Sequence, residues 1–423
     1  MIQCLRRAGT TALLCALLIG CSGGGETATA ELVRRDSAGV SIVEHSVAFM
    51  AALPEWTIDS VPIRQIRGDT PESPLAIVGD AVERSDGAVY VADRRLRDIR
   101  LFGADGAFQR VVARTGRGPG EVGFVSRLLA LAGDSLGLID ANNRRVSVFD
   151  AQGRFARQLL FPRFENGATA GITALLADGR LLGTHRPPWV DAAENLDSLY
   201  RTPFALVTYR VTPISAVDTV PPAAQVDTIA VLPDLEAYRA NFTEGGETRA
   251  DEFPLRFGKS TVWATHGGRT FVATNEQSDI VVYDGSRVVQ RIRSAVTPRA
   301  LTDDDRARLE GMVLGGIATS GRSAEQRAEV ERMVKGWRYA KTHVYANRLL
   351  AGTDGSVWVE EPWVLEDDAR RYWVHDSTGT ALARVVLPPR VSLLRATTRE
   401  LFGVWRDDDD VPHVTRWRLR PSQ

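Results

Sequence analysis

Ser85–Arg110 reads SDGAVYVADRRLRDIRLFGADGAFQR, and Ala132–Arg157 reads AGDSLGLIDANNRRVSVFDAQGRFAR. Side by side, Asp93 meets Asp140 and Gly106 meets Gly153, both at an offset of 47 residues. Each copy holds a turn, an apolar strand ending in Asp, a polar loop, an alternating strand, a second glycine turn and a last strand. A repeat of this length with only strand patterns inside predicts one blade of a β-propeller. Weaker copies start at Ala177, Gly267, Thr353 and Thr398, which makes six units. Runs such as Ile280-Val281-Val282-Tyr283 are apolar on both alternating faces, as a strand packed on both sides requires. The predicted fold is all-β, a six-bladed β-propeller.

The last unit ends at the C-terminus one strand short. Either Ala38–Val47 (AGVSIVEHSV) or Trp56–Ile66 (WTIDSVPIRQI) can supply the missing strand. Closing the ring from the other terminus removes exposed sheet edges. Helical patterning is confined to one region. Thr302 to Asp305 approximates a capping box, with Leu301, Leu309 and Met312 apolar around it. Ser323 to Gln326 opens a second helix, with Val330, Met333 and Val334 apolar. These patterns predict a short two-helix insertion at about 300–337, between the fourth and fifth units.

The chain begins MIQCLRRAGTTALLCALLI. Arg6 and Arg7 precede an apolar run from Thr10 to Ile19, too short for the roughly 20 residues of a membrane-spanning helix. Leu18-Ile19-Gly20-Cys21 follows and resembles a bacterial lipobox. That resemblance implies cleavage after residue 20 and lipidation of Cys21, with acyl chains contributing ~0.8 kcal/mol per buried methylene. Ser22 favours the outer membrane over the inner. Cys4 and Cys15 fall in the cleaved segment, so no thiol remains for a disulfide, a metal site or a nucleophile. Residues 21–35, with Ser22–Ala30 reading SGGGETATA, are expected as a flexible tether, and 36–423 as the propeller. A formal net charge of −1, with 44% hydrophobic and 25% charged residues, is globular and offers no pull toward nucleic acid.

Asp86-Gly87, Tyr90-Val91-Ala92-Asp93, Ile99, Phe102, Asp105-Gly106, Phe108 and the run Gly116–Glu121 together resemble the NHL-type six-bladed β-propellers, and more narrowly the exported "6-bladed β-propeller" lipoproteins of bacteria. Asp98 departs from the pattern, which has Arg before Ile99. Tyr345–Glu361 fits the same group, and the resemblance runs from about Asp36 to Arg420. It implies an architecture and a place in the bacterial cell envelope; the fold hosts many functions.

Arg114–Val122, RTGRGPGEV, is rich in glycine and basic residues, as a phosphate loop is. A phosphate loop would need GxxxxGK[ST] between a strand and a helix. Here no Lys-Ser or Lys-Thr follows, and Phe124–Leu131 reads as strand. The glycines are instead expected to reverse the chain in turns with positive φ.

If strands run outward from the axis, most irregular segments fall on one face. They include Arg94–Arg97, Ala141–Arg144, His185–Pro203, Asp234–Phe253 and the helical insertion. The expected ligand site is the channel mouth on that face. Its candidate residues are Asp93, Arg95, Asp140, Asn143, Arg144, His185, Trp189, Asn275, Glu276, Glu361, Trp363 and Trp405. Asp93 and Asp140 also suit a structural role, bonding backbone amides at strand ends. The tryptophans suit a flat apolar ligand, a sugar or a peptide side chain. No histidine pair has metal-ligand spacing, and GxSxG is absent. Asp407–Asp410 lacks the Gly and Glu of an EF-hand loop.

These features predict a membrane-anchored, non-enzymatic binding or scaffold lipoprotein. It would be held to the membrane through Cys21 and would engage a small molecule, glycan, peptide or envelope protein. No catalytic residue, metal ligand or cofactor is assigned. The alternative is a periplasmic propeller enzyme, a lyase or lactonase-like hydrolase acting on a small ester, sugar or peptide. Calcium on Asn275, Glu276 and Glu361 would be the cofactor implied by likeness to lactonase-type propellers.

Overall fold

The computed structural model describes residues 31–162, 170–186, 198–211, 225–244, 247–365 and 368–421. Residues 1–20, expected to be cleaved, Cys21 and Trp189 lie outside the described residues. The described chain is mostly β, in five hydrogen-bonded sheets. The first is the antiparallel meander Val78–Glu83, Val89–Asp93, Asp98–Phe102 and Phe108–Ala113. The second repeats it with Val125–Ala130, Leu136–Asp140, Arg145–Phe149 and Phe155–Leu160. The third runs from Gly171 to Pro254 and gains a fifth strand, because Gln225–Glu244 pairs on both sides. The fourth spans Val262–Ser294 and carries Val40–His45 in parallel on its last strand.

The fifth sheet has nine strands. Two meanders, Arg348–Val386 and Val391–Pro421, are joined by Glu55–Ile58, which pairs with both. Arg64–Ile66 then adds to Pro412–Pro421 as the strand the last meander lacks. Of the two segments proposed to close the ring, Trp56–Ile66 therefore does so. Ala38–Val47 pairs instead with the fourth sheet and with Leu32–Ser37. Leu32–Ser37 is itself a strand and overlaps the end of the expected tether, residues 21–35.

Apolar packing shows why the sheets curl. Tyr90 and Ile99 share a core with Leu128, Leu138 and Phe149 of the second sheet. Ile139 and Val146 pack with Ile172, Leu181 and Tyr209 of the third. Leu182, Phe204 and Leu206 meet Val272 of the fourth. Phe271 and Ile280 meet Leu349 and Val359, and Trp358 and Tyr372 meet Leu393 and Trp417. Phe402 and Val414 then pack on Ala81, Val89 and Phe102 of the first sheet. Each core fills the gap between consecutive meanders, and the last gap joins the two ends of the described chain. Each large side chain so buried stabilises by about 1.5–3 kcal/mol. This near-closed arrangement is a β-propeller.

Helix α1 covers Val47–Ala51, α2 Asp303–Ala318 and α3 Ala324–Lys335. Both expected capping boxes are present, Thr302 with Asp305 and Ser323 with Gln326. Leu301 and Val334 are buried, whereas Met312 faces solvent. Helix α1 was not expected; Ser46 caps it by accepting from the Phe49 amide. Among the described residues no helix is long and apolar enough to cross a membrane.

Candidate functional site

The Asp that ends the second strand of each leading repeat is fully buried. Asp93 accepts from the amides of Ala76 and Ile77 through Oδ2, at 2.7 and 3.2 Å. Its Oδ1 accepts from Arg95 and Leu96, both at 2.9 Å. Asp140 repeats this, with Gly123 and the Asn143 side chain on Oδ2 and Phe124 and the Asn143 amide on Oδ1. Both carboxylates thus clasp the incoming loop to the outgoing turn.

The glycine run explains itself in the same place. The Glu121 carboxylate folds back onto the Gly118 amide at 2.6 Å, so the loop supplies its own anion. A Cβ on Gly116 would collide with that carboxylate, and one on Gly118 would touch it. Only Gly120 of this run has positive φ. Gly116 and Gly118 lack positive φ, which corrects the expectation of left-handed turns at these two. The loop carbonyls are held by Arg145, which donates to Arg117, Gly118 and Glu121, and by Asn143, which donates to Gly116.

A cavity of about 780 Å³ opens on the face that carries these loops. Its walls include Tyr345, Trp363 and Trp373, and the first turns of α2 line it through Thr302, Asp305 and Arg308. A second cavity of about 370 Å³ adjoins it, sharing Ser278, Pro298, Val344 and Tyr345. Asn275 and Glu276 line the second, and Glu361 and Trp363 the first. Four of the expected residues therefore meet along one groove. It lies over the fourth sheet and the Arg348–Val386 meander, rather than being ringed by loops of every sheet.

Four carboxylates in this groove are paired with cations. Arg384 grips Glu361 with two bonds of 2.6 and 2.7 Å. Lys259 and Arg201 hold Glu276 at 2.7 and 2.6 Å, and the Lys259 bond is the larger cause of its lowered pKa. Burial pushes the Asp368 carboxyl up, but Arg308 and the Leu365 and Val364 amides outweigh it and hold the group low. Asp305 behaves alike: burial opposes its ionised form, and bonds from Arg299, Thr302 and His343 prevail. Asn275 sits at φ 62 and is fully engaged, donating to Ser260 and Ala346 carbonyls and accepting from the Ala346 amide. Trp363 lies 3.5 Å from the Arg370 guanidinium, a cation–π stack.

The remaining candidates are spread around the ring. Arg95 and Arg144 are exposed loop residues of the first and second sheets, and Asn143 belongs to the Asp140 clasp. His185 ends a strand of the third sheet, and Trp405 stacks on His413 in the last meander. The oxygen groups proposed for calcium each have different partners. Among the described residues no three His, Cys, Asp or Glu side chains form a group that could hold a metal ion. Sequence reasoning missed Tyr345, Trp373, Arg384, Arg308 and the Arg299–Asp305–His343 triad. The helical insertion was the available signal, since a polar cap such as Asp305 must dock on something.

No protein-family model matches the chain, and no curated protein matches it. Solved structures resemble it in shape. A DUF4221 family member from Bacteroides vulgatus is 10% identical, with TM-score 0.48, covering 86% of this chain and 99% of its own. A protein described as exported, from Bacteroides fragilis, is 14% identical, with TM-score 0.44 and coverage of 87% and 99%. Virginiamycin B lyase from Staphylococcus aureus is 10% identical, with TM-score 0.38 and coverage of 85% and 99%.

Proposed function

We propose that this chain is a lipid-anchored, non-enzymatic binding or scaffold protein of the bacterial cell envelope. It is a six-bladed propeller in which the nine-stranded sheet counts as two blades bridged by Glu55–Ile58. The α2–α3 pair is an insertion between blades four and five that walls the ligand groove. Cys21 carries the anchor, and the outer membrane is the expected location.

The observation that carries this reading is the groove's composition. Trp363 is partly exposed in the wall, with Tyr345 and Trp373 buried in it, while Glu361, Glu276, Asp368 and Asp305 are each held by a cation. A general acid or base needs a titrating group near the working pH. These carboxylates are engaged by guanidinium or ammonium groups, an arrangement that suits a flat ligand with hydrogen-bonding edges, a sugar or a peptide side chain.

Tryptophan fluorescence titration with chito-oligosaccharides and with short peptides tests the site. Saturable binding that weakens about tenfold or more in Trp363→Ala supports it. Turnover of a probe, or binding indifferent to Trp363→Ala, would overturn it. Loss of the membrane-bound form in Cys21→Ser tests the anchor.

A further inference from the structure

Asp80 lies in the innermost strand of the first sheet, and Arg127 occupies the same place in the second, at the 47-residue offset of the repeat. Arg348 and Arg395 occupy innermost strands of the two meanders of the nine-stranded sheet. Their side-chain bonds run from one innermost strand to another, which gathers them about the axis. Arg395 engages Asp80 at 3.0 Å and also donates to the Leu128 carbonyl. Asp80 is further bonded by the amides of Ala81 and Leu128. Its capacity is thus taken up by Arg395 and by backbone.

Arg127 has only a 3.4 Å bond to the Thr173 carbonyl among the described residues. Arg348 donates to the Leu393 carbonyl, and its nearest carboxylate, Glu360, is 3.9 Å away. Glu360 already accepts from Tyr372 and Asn347. Three guanidiniums thus share one fully engaged carboxylate and one distant one. Desolvation by the surrounding protein, with repulsion from Arg395 and Arg348 against the pull of Asp80, holds the solvent-exposed Arg127 below the ordinary arginine range. Arg127 is exposed and the side chains of Arg348 and Arg395 are 42% and 36% exposed, so this concentration of positive charge is open to an anion arriving from solvent.

A cavity away from the groove reaches one of these guanidiniums, that of Arg395. This cavity of about 700 Å³ is lined by Ala130, Ala351 and Arg395, all on innermost strands, and by the Arg84–Gly87 turn. Its other charges are paired with one another, Glu83 and Glu400 with Arg416. Of the three axial guanidiniums, Arg395 is paired with Asp80, and Arg127 and Arg348 are the ones left under-compensated.

We propose that the axial channel is a second binding site, selective for a small oxyanion, a carboxylate or a phosphate-type group, gripped by Arg127 with Arg348 and Arg395. Planar guanidinium forks match two oxygens of such an anion, which a halide cannot offer. This site is separate from the groove and does not depend on the reading of that face.

Isothermal titration calorimetry of the purified protein, at constant ionic strength in chloride, tests it with inorganic phosphate and separately with acetate. One saturable site for either anion is expected, weakened about tenfold or more in Arg127→Gln and in Arg348→Gln. Arg371→Gln, on the groove wall, should stay within about twofold of the parent. Arg127→Lys keeps the charge and removes the fork, so it reports even where the glutamine variant folds poorly; it should bind more weakly than the parent. Absence of saturable binding for both anions, or affinity unchanged in Arg127→Gln or Arg127→Lys, overturns the proposal.

Discussion

Replacing Asp93 by Ala should cost the fold dearly, although the residue lies on the face expected to bind ligand. Four amides, of Ala76, Ile77, Arg95 and Leu96, lose their shared acceptor. Bonds to a charged acceptor contribute about 1.5–3 kcal/mol each, and some of these amides can turn to water once freed. A net loss of about 3–5 kcal/mol follows, a large part of a typical stability of about 5–15 kcal/mol. With an unfolding entropy of ~0.9 kcal/mol/K for a chain of this length, Tm should fall by about 3–6 °C. Asp93→Asn keeps one acceptor oxygen and should lose about half as much. The repeat supplies an internal control, since Asp140→Ala breaks the equivalent four bonds and should match Asp93→Ala within about 1 kcal/mol. Thermal and urea unfolding of the four proteins gives the answer. A Tm within about 1 °C of the parent for both alanine variants would refute the clasp argument.

Gly116→Ala should cost less than about 1 kcal/mol in urea unfolding, because its Cβ meets only the end of the exposed Glu121 side chain, which can swing into solvent. Burial holds His375 neutral and pushes its pKa down to about 3. The unfolded chain takes up that proton near pH 6.5, so the stability is present above 6.5 and is lost as pH falls toward 3. Urea unfolding as a function of pH should show this as a slope of roughly 1 kcal/mol per unit, flattened in His375→Gln. Asp305→Asn weakens the cap of α2 and its tie to Arg299, so hydrogen exchange should accelerate across residues 299–318 while the first sheet stays protected.

The ring was legible because strand patterns recur with Asp93 over Asp140 and Gly106 over Gly153, and the turn chemistry of those positions is local. The capping boxes of α2 and α3 were legible for the same reason. What an isolated repeat cannot show is which strand its edge will accept. Glu55–Ile58 bridges two meanders, and Val40–His45 adds in parallel to a distant one, through backbone bonds that leave no side-chain signature. The groove was half legible. Asn275, Glu276, Glu361 and Trp363 follow strand ends in the repeat, but Trp373 and Arg384 lie inside strands and looked like ordinary sheet residues. The axial arginines carried a signal that went unread: Asp80 aligned with Arg127 puts charge where an innermost strand has little room for it. The glycine run closes on its own Glu121 carboxylate, a contact visible only once the loop is folded.

The account depends on Arg64–Ile66 completing the last meander, with Gln65 opposite Thr415. A Gln65→Cys/Thr415→Cys protein, made with Cys21 replaced by Ser and without residues 1–20, tests this under oxidising conditions. The account predicts a quantitative intramolecular disulfide and a higher Tm than the reduced form. Free thiols, or disulfides found only between molecules, would contradict it.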